Sequence, residues 1–98
     1  MQRVTGTVRT AALTTAAKLI CGPSEKRLSL LFSPAADRDV YYTISTESGL
    51  ALGAGINVLA DGGPVTISVA AHGDAAMRSW YAIASAAVTI GYLETVEV

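Results

Sequence analysis

At 98 residues the chain is sized for one domain, long enough to build a single core without cross-links. Its composition is 51% hydrophobic and only 15% charged, against about 25% charged in an ordinary globular protein. A net charge of -1 excludes a global attraction to nucleic acid or anionic membrane, and a lone cysteine, Cys21, excludes an internal disulfide.

So few charges leave Thr, Ser, Ala and Gly to cover the surface. Two readings stay open. Either the chain keeps a contact surface for another protein, or its many Ala and Thr residues simply inflate the apolar count. No run reaches the ~20 apolar residues of a membrane span. The apolar stretch 11–20 is broken by Thr14, Thr15 and Lys18, so no signal peptide is expected. The free thiol fits synthesis in a reducing cytoplasm.

Residues 3–9 alternate weakly around Gly6 and are expected to form an extended arm or an edge strand. Residues 9–20 are ambiguous. Alanine favours helix, with Thr10 as a cap, but the β-branched threonines oppose it. Extended structure ending in a strand over 17–21 is the preferred reading. Gly22, Pro23 and Ser24 form a turn. A strand follows over 27–33, with Leu28, Leu30 and Phe32 on one face and Leu31 on the other. A polar loop over 34–39 leads to a strand over 40–46. There Val40, Tyr42 and Ile44 face one way, and Tyr41, Thr43 and Ser45 the other.

Gly49, Gly53 and Gly55 lie inside an apolar run and predict bends with close backbone approach. Asp61-Gly62-Gly63-Pro64 is the strongest turn signal in the chain. Strands are expected over 65–70, 79–84 and 88–94, the last extended by the alternation that continues to 98. Residues 71–76 read as a loop. About seven or eight short strands, with turn signals roughly every 8–12 residues, predict an all-β fold. It is a single-domain antiparallel β-sandwich or jelly-roll-like barrel. Residues 1–16 are its N-terminal arm or edge strand, and 17–98 the sandwich.

Little chemistry is offered on this scaffold. His72 with Asp74 is the one pair resembling a base and its orienter, but no activated nucleophile has a recognisable setting. His72, Asp74 and Cys21 lack metal-ligand spacing. Cys21 reads as a small buried hydrophobe. Gly53-Ala54-Gly55 lacks the third glycine or the Gly-Lys-Ser/Thr ending of a phosphate loop. Asp37 and Asp39 read as a solvated turn. Glu94 and Glu97 read as edge charges that discourage sheet-to-sheet aggregation. No catalytic, cofactor-binding or metal residue is assigned. Tyr41, Tyr42, Trp80 and Tyr81 are divided between core, an interface and, least, a stacking platform.

One ordered set of pieces resembles a known group. A basic residue opens a strand after a Gly/Pro turn, in Pro23-Ser24-Glu25-Lys26-Arg27-Leu28-Ser29-Leu30-Leu31-Phe32. A Tyr-rich strand, Asp39-Val40-Tyr41-Tyr42-Thr43-Ile44, comes next, and then Gly49-Leu50-Ala51-Leu52-Gly53-Ala54-Gly55. A Gly-Pro turn leads into 65–69. The close is Trp80-Tyr81-Ala82-Ile83-Ala84-Ser85-Ala86-Ala87-Val88-Thr89-Ile90 with Leu93-Glu94. Over residues 17–94 this layout resembles small β-sandwich structural proteins of tailed bacteriophages, the capsid decoration (cement) and head-fibre base type.

The resemblance implies a non-enzymatic virion protein on the outer surface of an assembled head, synthesised in the host cytoplasm. It implies the major capsid protein and copies of the chain itself as partners. A tail or head-completion part and a carbohydrate-binding adhesion module are the alternatives. An arm over 1–16 that adds a strand to a neighbouring sheet supplies a mechanism. The expected contact residues are Val4, Val8 and Leu13, with Tyr41 or Trp80 as an anchor.

Overall fold

The computed structural model describes residues 3–97. Among these, eight strands form two four-stranded antiparallel sheets. They are β1 (Val4–Leu13), β2 (Lys18–Cys21), β3 (Arg27–Phe32), β4 (Tyr42–Ser45), β5 (Ile56–Val58), β6 (Val65–Ser68), β7 (Trp80–Ala84) and β8 (Val88–Glu97). The first sheet has the order β1-β8-β3-β6 and the second β2-β7-β4-β5. The expected all-β sandwich is the fold observed.

The pairing follows one rule. β1 pairs with β8, β2 with β7, β3 with β6 and β4 with β5. The chain is thus a nested hairpin, turned at the β4–β5 connection and rolled so that β3 also meets β8 and β4 also meets β7. Two four-stranded sheets built this way are a jelly roll.

Period-two alternation places the core between the sheets. Leu30, Phe32, Ile67, Ile90 and Tyr92 come from the first sheet, and Tyr42, Ile44, Val58, Trp80, Ala82 and Ala84 from the second. Phe32 links the two, with its ring centroid 5.8 Å from Tyr92 and 6.3 Å from Trp80. Small Ala82 and Ala84 leave room for these large rings.

Three details depart from the expected pattern. In β3, Arg27 and Ser29 pair with the consecutive residues Val96 and Thr95, so Leu28 is the extra residue of a β-bulge. The bulge shifts the phase by one. Arg27 therefore shares the inward face with Leu30 and Phe32, and Leu28 is only half-buried. Next, the strand expected over 65–70 stops at Ser68. The Ser68 hydroxyl accepts from the Ala71 N–H at 3.2 Å, and the His72 Nδ1 accepts from the Ser68 N–H at 3.1 Å. This reciprocal cap starts a helical turn, α1 (Val69–His72), which runs into a 3-10 turn over Gly73–Met77. The expected loop over 71–76 is thus largely helical. Finally, Thr43 faces outward yet is fully buried. The glycine-containing segment before β5 folds over it. Gly53 donates its N–H to the Thr43 hydroxyl at 2.9 Å, and that hydroxyl meets Asn57 Oδ1 at 2.7 Å.

Candidate functional site

His72 and Asp74 are engaged separately. The imidazole is held at the α1 cap through Nδ1, and the Asp74 carboxylate meets the Arg78 guanidinium at 3.5 Å in an exposed pair. Among the described residues no group of three His, Cys, Asp or Glu side chains could hold a metal. No helix among them is long and apolar enough to cross a membrane.

The charged cluster that matters is one that sequence spacing does not reveal. Arg27, only 2% exposed, donates from Nε to Glu94 Oε2 at 2.8 Å. Its Nη1 donates to the carbonyls of Ala76 (3.3 Å) and Arg78 (2.9 Å), and its Nη2 to that of Gly22 (2.6 Å). Glu94 Oε1 also receives Arg9 Nε at 3.2 Å. One carboxylate is thereby shared by two guanidiniums. The earlier assignment of Glu94 as an edge charge is corrected. β8 is an interior strand flanked by β1 and β3, and Glu94 points inward beside Arg27.

This clasp ties β3 to β8, to the β2–β3 turn and to the 3-10 turn. It forms one wall of a cleft of about 400 Å³, completed by Arg9, Cys21, Pro23, Ser24 and Tyr92. Burial pushes the Cys21 thiol above its ordinary value, opposed in part by the Arg27 charge. A desolvated, protonated thiol is a poor nucleophile. Burial likewise raises the Tyr92 phenol, whose hydroxyl donates to the Ile20 carbonyl at 3.1 Å. The Arg27 side chain spends its donors on the protein itself, so the cluster acts as an internal brace. The legible signal for it is an arginine opening a strand that carries no other charge.

The five expected contact residues separate cleanly. Leu13 (1% exposed) and Trp80 (4%) lie in the core, which corrects their placement at an interface. Both sit at inward positions of their strands, and the Trp80 Nε1 donates to the Ala75 carbonyl at 3.0 Å. Tyr41 is half-buried beside a smaller cleft of about 260 Å³ that it lines with Val40, Leu59, Arg38, Asp39 and Asp61. Val4 (51%) and Val8 (79%) are exposed on β1.

β1 carries the surface that remains. The segment expected as an arm or edge strand is an edge strand from Val4 onward, paired along its whole length with β8. Its inward positions alternate with an outward set that includes Val4, Gly6 and Val8. Across the sheet the outward rows are Val8, Leu93, Leu31, Thr66 and then Gly6, Thr95, Ser29, Ser68. Neither row contains a charge. Leu93 leans over Gly6, where an added Cβ would lie 3.4 Å from its Cδ1. The face is therefore charge-poor, with Glu97 opposite Val4 at its end.

Compared with known protein families, characterised proteins and solved structures, the chain gives no match.

Proposed function

We propose that the chain is a non-enzymatic structural subunit of a virus particle, a decoration or cement protein on the outer surface of a phage head. Its partners on this reading are the major capsid protein and further copies of itself. The observation that carries the reading is the open β1 edge with the charge-poor face beside it, a surface suited to another protein rather than to a small solute. Support also comes from the jelly-roll topology, an architecture that viral capsid and lectin domains use. That support is analogy at the level of fold. The low overall charge fits a protein contact better than a phosphate backbone. Many weak contacts repeated over a symmetric shell add through effective concentration.

Quantitative mass spectrometry of purified particles from the encoding phage tests this. Copies comparable in number to the capsid protein are expected. A dozen or fewer would move the chain to the tail or the head-completion complex. Its absence would end the reading.

The Tyr41 cleft favours one second reading, a saccharide-binding adhesion module. A half-buried aromatic ring lies there with the carboxylates of Asp39 and Asp61, groups suited to sugar faces and hydroxyls. Glycan-array binding lost in Tyr41→Ala would support it. No binding to any glycan would remove it.

A further inference from the structure

The four sheet edges are unlike one another. β2 and β6 are four residues long and β5 is three. Short edges are a usual means of keeping a sheet from recruiting another chain. β1 is ten residues long, and residues 4–10 are all exposed. Its ladder with β8 runs through ten successive pairs without a register shift, whereas β2·β7 and β3·β8 both contain one. No proline interrupts β1, and Arg9 is its one charged residue. Its outer side therefore presents a long, regular row of backbone donors and acceptors. An added extended strand can pair with such a row along its length.

We propose that β1 pairs with β1 of a second copy, antiparallel about a two-fold axis, joining the two β1-β8-β3-β6 sheets into one of eight strands. The proposal rests on the assembly reading above and specifies how copies of the chain meet. An isologous contact must be complementary to itself, and this strand is. In a continuous sheet with both outward faces on the same side, facing residues share the parity of their numbers. An axis at Gly6 would set Arg9 against Arg3, and an axis at Arg9 would set it against its own copy. Like charges placed directly opposite disfavour both. Of the axes that centre the contact on the exposed stretch 4–10, those at Thr7 and at Val8 remain. The first places Val8 beside the partner subunit's Gly6, where no side chain stands in the way. The second stacks Val8 on its own copy. Either brings a second strand alongside Val8, at 79% the most exposed large hydrophobic side chain among the described residues. Joining the sheets also doubles the charge-poor face available to a shell.

Light scattering and native mass spectrometry over a concentration series provide the test. A dimer is expected, dissociating in roughly the micromolar range because a contact of two strands lies at the small end of specific interfaces. Thr7→Lys/Val8→Lys sets lysine against lysine on either axis. It should weaken the dimer at least tenfold and leave the far-ultraviolet circular dichroism spectrum unchanged. Cysteine placed at Thr7 or Val8 in a Cys21→Ser background should give a disulfide-linked dimer, and cysteine at Ala12 should not. A monomer at all concentrations overturns the pairing. So does a trimer or larger ring, or a dimer that the double lysine variant leaves intact. A monomer that is still abundant on particles would remove this pairing and leave the assembly reading in place. A β1-linked dimer missing from particles would do the reverse.

Discussion

At the scale of single residues, Arg27 is the most consequential side chain outside the hydrophobic core. Its charge is buried, so its value depends on Glu94 and the three carbonyls it meets. Without Arg27, Glu94 keeps only the half-exposed Arg9 and three carbonyls lose their donor, and breaking a buried pair of this kind costs about 3–5 kcal/mol. Arg27→Ala is expected to lose that much in urea unfolding. Arg9→Ala should lose less than about 1 kcal/mol, because its side chain is half exposed. A deficit for Arg27→Ala no larger than that for Arg9→Ala would show that the brace is dispensable. Cys21 gives a pH prediction with a definite sign. Its folded thiol titrates above the ordinary 9.0. Below that value both states are protonated and the contribution to stability is complete. Above it the unfolded chain ionises first, so stability falls as pH rises. Cys21→Ala should flatten this alkaline loss in denaturant titrations run on either side of pH 9.0. Native Cys21 should also react with iodoacetamide much more slowly than the unfolded chain does.

At the scale of elements, two departures from regular strand geometry place the chemistry. The bulge at Leu28 turns Arg27 inward. Strict alternation would have sent it to solvent and put Leu28 in the core, as the unbroken sequence pattern suggests. The second departure is the segment that crosses outside β4. A Cβ at Gly55 would lie 2.5 Å from the Ile44 carbonyl oxygen and 3.1 Å from Thr43 Cγ2. Backbone cannot yield as a flexible side chain can. Gly55→Ala is therefore expected to cost about 1–3 kcal/mol. The same change at Gly22, with open space around it, should be nearly neutral. Thermal melts of the two variants check this. The three glycines of this run predict a close approach, and Gly55 is where it occurs. The helical turn after β6 was less legible. Val69 and Ala70 continue the alternation, and only the bonding of Ser68 with Ala71 and His72 ends the strand.

At the scale of the whole molecule, the nested pairing makes folding a long-range event. β1 meets β8 and β2 meets β7, so the ends of the chain must find each other before either sheet is complete. Loop closure of this kind is slow, and refolding is expected on a time scale of roughly milliseconds to seconds. Stopped-flow Trp80 fluorescence would report it, since the ring passes from water to the Phe32 contact. Complete refolding in microseconds would contradict the topology. A single core serves both sheets, so loss of the interior strand β8 should unfold the protein as a unit.

The sequence by itself determined the all-β class, the approximate place of most strands and the turns at Gly22-Pro23 and Asp61 to Pro64. Local alternation and turn chemistry are properties of neighbours along the chain, and they survive in any register. Only the tertiary structure decided which strands pair and which side of each faces inward. It put Trp80 and Leu13 in the core, joined Arg27 to Glu94 and left β1 as the long open edge. Those outcomes depend on register, and one extra residue in a ladder reverses every face that follows it.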